Sequence, residues 1–142
     1  MGTLGSALAA AGSALTAERV RLETAVSNLA NAESTRGPDG QPYRRRDVVL
    51  TSAPVESFDA AYGRAAATGV KVAAVIEDTA AFQRRYEPGH PDADAEGYVA
   101  LPNVNPAEEM VDLLSAARAY QANLTAIGLI RDLVQRSLDL GK

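Results

Sequence analysis

The sequence predicts an α+β fold: long N- and C-terminal helices packed as an antiparallel coiled-coil-like pair, with a small β-rich module inserted between them. Three observations carry this. Leu8, Leu15, Leu22 and Leu29 recur every seven residues in the N-terminal segment. From Met110 to Leu138 apolar residues follow a three-and-four spacing. Between these stretches, short alternating runs are separated by Gly/Pro turns. The implied organisation is an N-terminal helical segment over 1–35, a middle module over 36–104 and a C-terminal helical segment over 105–142.

The first helix is predicted from Leu4 to about Ala32. Leu4, Ala11, Ala25 and Val26 lie on or beside the leucine stripe, and Glu18 interrupts it. At 1.5 Å per residue such a helix spans about 40 Å, longer than a small middle module needs for its own packing. The second helix is predicted from Pro106 to Leu140. Asn105 is a cap, Pro106 suits the first helical position, and Glu108 and Glu109 complement the helix dipole. Met110, Leu113, Ala117, Tyr120, Leu124, Ile127, Val134 and Leu138 form its seam, interrupted by Arg131. Gly128 marks either a close helix approach or a bend.

The middle has a different grammar. Gly37–Pro38–Asp39–Gly40–Gln41–Pro42 is a turn, followed by a strand over Tyr43–Leu50. Residues 51–67 lack periodicity and are expected to form a variable loop. Gly69–Glu77 alternates as a strand, with Val70, Val72, Ala74 and Ile76 on one face. Phe82–Glu87 and Gly97–Leu101 are further short strands around the rigid turn Pro88–Gly89–His90–Pro91.

Composition excludes several functions. The 142 residues carry a net charge of -4, and the single basic run, Arg44–Arg45–Arg46, is followed at once by Asp47. Nucleic-acid binding needs a more concentrated basic surface, so this run reads as a solvated strand face or a subunit-contact patch. There is no cysteine, which removes disulfides and thiol chemistry. No stretch approaches the roughly 18 apolar residues of a transmembrane helix, and the first residues do not resemble a cleaved secretory signal. His90 is the sole histidine and has no ligand set of recognised spacing around it. It is expected to hydrogen-bond locally within its turn. No catalytic motif is present, no cofactor or metal is expected, and the chain does not read as an enzyme.

The residues then become specific. The first helix ends in Ala25–Val26–Ser27–Asn28–Leu29–Ala30–Asn31–Ala32. The C-terminal half holds Pro102–Asn103–Val104–Asn105, Glu108–Glu109–Met110–Val111 and Ala117–Arg118–Ala119–Tyr120–Gln121–Ala122–Asn123. These motifs resemble the flagellar rod and hook axial protein family. The middle turns, Gly37–Arg44 and Tyr86–Pro91, with Gly69–Val70–Lys71–Val72 and Gly97–Tyr98–Val99, are similar to its proximal-rod member.

The resemblance implies a structural, torque-transmitting subunit of the basal-body rod in the periplasm, exported by the flagellar type III apparatus without signal cleavage. Its implied partners are sister rod proteins, the basal-body adaptor and copies of itself. The terminal segments are expected to order on assembly. The alternatives are a rod-family subunit at another axial position and a finite coiled-coil binding protein. The expected assembly interface comprises Leu15, Leu22 and Leu29 on the first helix and Met110, Tyr120, Leu124 and Ile127 on the second. Glu109 and Arg118 are expected on flanking faces, where interchain ion pairs fix register, and Asn123 lies on the same helix. Asn28 and Asn31 are expected to cap the helix end and to bond neighbouring backbone at the helix–module junction.

Overall fold

The computed structural model describes residues 2–55 and 67–140. Helix α1 (Gly2–Ala30) is followed by strands β1 (Arg46–Pro54), β2 (Thr68–Glu77), β3 (Gln83–Tyr86) and β4 (Tyr98–Leu101), and by helix α2 (Pro106–Asp139). The strands form two separate two-stranded sheets, β1–β2 and β3–β4. The expected architecture, long terminal helices around a small β module, is what the chain adopts. Two compact units share these elements. A junction unit holds Arg21–Val48 and Val75–Leu114, and a terminal unit holds Met1–Val20, Val49–Ala74 and Ser115–Lys142. The end of α1 groups with the start of α2 in the junction unit, and the start of α1 with the remainder of α2 in the terminal unit.

The helix ends follow from local chemistry. At the close of α1, the Asn31 side-chain amide donates to the Ser27 carbonyl at 2.8 Å, and the Ser34 hydroxyl donates to the Asn31 carbonyl at 2.9 Å. Each adds a second donor to a carbonyl that already accepts a backbone amide, Asn31 N at 3.1 Å and Ser34 N at 3.1 Å, and so fastens the last turn. At the start of α2, Asn105 Oδ1 accepts from the Ala107 amide at 3.1 Å, and Pro106 occupies a position where no N–H is needed. Gly128 faces open space within an unbroken helix, so no close approach within this chain accounts for it.

In the junction unit, β3 and β4 pair antiparallel with Gln83 opposite Leu101 and Tyr86 opposite Tyr98. β4 alternates in burial. Val99 and Leu101 turn inward and, with Val104, Pro102 and Ala25, form the core. Burying side chains of the Val and Leu size contributes about 1.5–3 kcal/mol each. The turn between the strands is held by its own polar groups. His90 Nδ1 accepts from the Asp92 amide at 3.0 Å, the local role expected of it. Asp94 Oδ1 accepts from the Tyr98 amide at 2.8 Å and the Glu96 amide at 3.0 Å, while its Oδ2 pairs with Arg84 at 2.7 Å. Gly97 adopts a φ of 84°, and a Cβ there would lie 2.9 Å from the Tyr86 ring.

In the terminal unit, α1 meets the base of β2. Ser13 Oγ donates to the Ala10 carbonyl at 2.7 Å and accepts from the Val70 amide at 3.1 Å. The approach depends on Gly69, where a Cβ would sit 2.5 Å from Ser13 Oγ and 2.6 Å from Val55. The β1–β2 ribbon is antiparallel, bracketed by Asp78 N donating to Arg45 O at one end and Val55 N donating to Ala67 O at the other.

Two expectations change here. β1 begins at Arg46 rather than Tyr43, because the Arg45 amide is taken by the Asn103 side chain at 2.8 Å. β1 also runs on through Pro54, so 51–54 is strand rather than loop. Its partner β2 is long enough to pair with it, and a proline is tolerated where the ladder needs no further donor. Residues 56–66 of the expected loop lie outside the described residues.

Gly97→Ala would force a left-handed backbone onto an L-residue and press it against Tyr86. We expect it to destabilise the chain by about 1–3 kcal/mol in denaturant unfolding, whereas Gly40→Ala, with open space around it, should cost less. The backbone hydrogen bond from Tyr98 holds the Asp94 carboxyl below the usual aspartate range. Burial opposes this shift, and Arg84 and the Glu96 amide add to it. Its folded value is depressed, so its contribution to stability is present above the unfolded value and fades as pH falls through the folded one. An NMR titration should place the Asp94 midpoint below that of a free aspartate, and Arg84→Ala should move it back up.

Candidate assembly site

The polar residues of the motifs converge on one place in the junction unit. Asn28, in the last turns of α1, is 1% exposed and uses every hydrogen-bonding position of its amide. Nδ2 donates to the Arg46 carbonyl at 2.8 Å and to Glu109 Oε2 at 2.9 Å. Oδ1 accepts from the Arg46 amide at 2.9 Å and from the Tyr43 hydroxyl at 2.9 Å. The side chain thus binds both backbone groups of the first residue of β1, as a neighbouring strand would, and reaches α2 at the same time.

Glu109, 2% exposed, supplies the other half of the junction. Its Oε1 accepts from Arg45 Nε at 2.6 Å. Arg45 also lies 3.7 Å from Asp47 and 3.5 Å from Asp112. Burial acts to lower the Arg45 pKa. The hydrogen bond to Glu109 and the charges of Glu109, Asp47 and Asp112 outweigh it and hold the guanidinium above its ordinary value. Asn103 completes the set, accepting from the Arg45 amide at 2.8 Å and donating to the carbonyls of Asp78 at 3.2 Å and Ala80 at 3.3 Å. Among the described residues, no buried side-chain nitrogen or oxygen lacks a partner. A buried polar cluster satisfied to this degree fixes one arrangement of its elements, because any slip would leave groups unpaired in a low-dielectric interior.

The outer ring is looser. Asp92 accepts from the Thr35 hydroxyl at 2.8 Å and pairs with Arg36 at 2.7 Å, tying the segment after α1 to the β3–β4 turn. Arg44 stacks 4.3 Å over Phe82, and Arg46 lies 5.6 Å from the Tyr43 ring and 3.5 Å from Glu77. An open basin of about 490 Å³ beside the 37–42 turn is lined by Arg36, Arg44 and Arg46 together with Asp39 and Glu77. Two of its cations already face carboxylates, so it has no concentrated positive field for an anion.

The structure separates the residues expected at an interface. Asn28 and Glu109, 81 positions apart, are brought into direct contact. Glu109 does not lie on a flanking face. It turns inward because Arg45 and Asn28 together satisfy both carboxylate oxygens there. Leu15, Leu22, Leu29, Asn31, Tyr120, Asn123 and Ile127 are half-buried, with Asn123 donating back to the Ala119 carbonyl at 2.9 Å. Met110, Arg118 and Leu124 are exposed. Tyr43, Arg45 and Asn103 were not anticipated as junction residues. The available signal was the placement of Arg45, the middle of three arginines, directly before a strand whose polar start needs partners. Among the described residues, no group of three or more His, Asp or Glu side chains is placed to hold a metal ion, and no helix is long and apolar enough to cross a membrane.

Comparison with known proteins gives the family. Residues 8–38 match the family described as flagella basal body rod protein, and residues 95–140 match the flagellar basal body rod FlgEFG protein C-terminal family. These ranges include Asn28 on one side and Asn103 and Glu109 on the other. The flagellar basal-body rod protein FlgC of Salmonella typhimurium is 51% identical over 132 residues, covering 93% of each chain. The chain belongs to the FlgC family of flagellar basal-body rod proteins. FlgC of Bacillus subtilis is 45% identical over 140 residues, and FlgC of Borreliella burgdorferi 37% identical over 147, again spanning more than nine-tenths of both chains. The likeness to FlgC proteins therefore extends through the middle module as well as the two helices.

Arg45 and Arg46 should respond differently to truncation. Arg45→Ala leaves the buried Glu109 carboxylate short of its cation and is expected to cost about 3–5 kcal/mol in denaturant unfolding. Arg46→Ala keeps the backbone groups that Asn28 binds and removes only an exposed pair, so it is expected to cost under about 1 kcal/mol.

Proposed function

We propose that this chain is a structural subunit of the proximal flagellar rod that transmits torque from the motor toward the hook and has no catalytic role. The observation that carries the reading is the end-to-end similarity to FlgC rod proteins. The surface of α2 supports it. Met110, Leu114 and Leu124 lie on one side of the helix and Val111, Leu129 and Leu133 on another, all exposed. A helix that is apolar on more than one side needs more than one neighbour to cover it, and a helical assembly supplies several. The buried junction complements this surface. A rod subunit under torque needs its helices fixed to its outer module, and the Asn28–Glu109–Arg45 cluster provides that attachment within one chain.

The proposed neighbours are sister rod proteins, the basal-body adaptor and copies of this chain, in a rod crossing the periplasm. The proposed route there is export through the flagellar type III apparatus without signal cleavage. The contact surface proposed for these neighbours draws on Leu15, Leu22 and Leu29 of α1 and on Met110, Arg118, Tyr120, Asn123, Leu124 and Ile127 of α2. Asn28, Asn31 and Glu109 act on that surface from within, by setting where the helices leave the module. Electron microscopy of basal bodies from cells lacking the gene, beside cells re-expressing a tagged copy, tests the reading. The expected result is rings without a completed rod or hook, with the tag at the rod base after rescue. Complete rods and hooks in the absence of the gene and of any duplicate would overturn it in favour of a finite coiled-coil protein.

A further inference from the structure

Arg44 has no carboxylate partner among the described residues, although Arg36, Arg45, Arg46, Arg84 and Arg85 of the same unit each have one. Its guanidinium is nonetheless held in place. It stacks 4.3 Å over Phe82, and Nη1 donates to the carbonyls of Asp78 at 3.4 Å and Ala80 at 3.5 Å. Nε and Nη2 form an edge that can grip a carboxylate with two parallel bonds, and among the described residues neither has a partner. No buried side-chain nitrogen of those residues lacks a partner, so both atoms are open to solvent. Arg44 lines the basin beside the 37–42 turn, and that turn is rigid. Gly37 N donates to Gln41 O at 2.6 Å, Gly40 N to Gly37 O at 3.0 Å, and Gln41 N to Asp39 Oδ1 at 3.2 Å. Gly40 takes a φ of 78°, and Pro38 and Pro42 fix the flanks. A fixed guanidinium in a pre-formed basin loses little freedom when a carboxylate arrives. Arg36 and Arg46 already face Asp92 and Glu77, so the basin suits one carboxylate and not a polyanion.

We infer that this basin is a contact between copies of the chain, in which Arg44 grips Glu108 of a second copy. The inference rests on the rod-subunit reading and deepens it by naming one pair of touching residues. Four carboxylates of the junction unit face no cation among the described residues. Asp39 and Asp78 accept the backbone amides of Gln41 and Ala80. The exposed carboxylates of Glu33 and Glu108 have no such bond. Glu33 lies between Asn31 and Ser34, both in the basin wall. A contact of that patch with itself closes into a two-fold pair and ends there, whereas a helical rod needs two different patches that repeat. Glu108 stands outside the basin wall, beside exposed Pro106, Ala107 and Val111. These apolar neighbours match Pro38, Pro42 and Tyr43 around Arg44. An ion pair enclosed by such a contact fixes the register of one copy on the next.

Cross-linking in isolated basal bodies tests this, since the chain has no cysteine of its own. Gln41→Cys in the basin wall and Ala107→Cys beside Glu108 are placed in two co-expressed chains, and a short bismaleimide is added. A covalent dimer joining position 41 to position 107 is expected. Basal bodies that hold both chains and give no such dimer would overturn the contact and leave the rod reading intact. A dimer formed by Gln41→Cys alone would overturn it in favour of a closed pair. Absence of the chain from basal bodies would overturn the rod reading and the contact with it. Charge reversal gives a second readout. Arg44→Glu and Glu108→Arg should each lower the number of complete rods, and the double variant should restore it. The Glu108 side chain makes no contact with a cation of its own chain among the described residues, so Glu108→Arg probes the contact without breaking an ion pair of the fold. Normal rods with Glu108→Arg, or a double variant no better than Glu108→Arg alone, would overturn the pairing.

Discussion

The side-chain amide of Asn28 is where the chain's three parts meet. It lies in α1, binds both backbone groups of the residue that opens β1, and donates to a carboxylate in the first turns of α2. A buried amide has two donors and two acceptor positions, and each is occupied here. An apolar side chain would pack in that space but would accept many rotations and slips of the two helices. The amide accepts one arrangement, because each alternative leaves a buried polar group without a partner. Specificity of this kind matters to a subunit whose helices expose apolar surface and whose neighbours must be met in register.

Around that amide the charges are graded by depth. The Arg45–Glu109 pair is nearly closed to solvent, is short, and is supported on both sides by neutral hydrogen bonds. Arg84 with Asp94, Arg46 with Glu77 and Arg85 with Glu87 lie in the open. Pairs of the second kind contribute little to stability in water, so their use is in steering and contact choice. The chain has few large side chains to bury, and the junction places one fully satisfied polar cluster beside the small apolar core of Val99, Leu101 and Val104.

The elements were largely legible from the sequence because each depends on local signals. The seven-residue leucine spacing, the Asn105–Pro106 start and the alternation of Gly69–Glu77 lead to α1, α2 and β2. The β1 boundaries were less legible, since they depend on partners far away in the chain: Asn103 takes the Arg45 amide, and β2 supports pairing as far as Pro54. Glu109 shows the same limit more sharply. A glutamate in the first turn of a helix has a sufficient local reason to be there, its favourable dipole position, and this conceals the tertiary one. Arg45 stands in a run of three arginines that reads as one solvated patch, although only the middle side chain turns inward. Asn28 and Glu109 were present in the motifs, but their pairing could be seen only once the fold had closed a gap of 81 positions.

A double-mutant cycle between Asn28 and Glu109 tests the account most directly. Denaturant unfolding of Asn28→Ala, Glu109→Ala and the double variant gives the coupling free energy of the pair. The account predicts a coupling of about 1–3 kcal/mol, with the double variant losing less stability than the sum of the two single ones. Additive losses, with no coupling beyond about 0.5 kcal/mol, would contradict it and leave the two helices joined by something other than this junction.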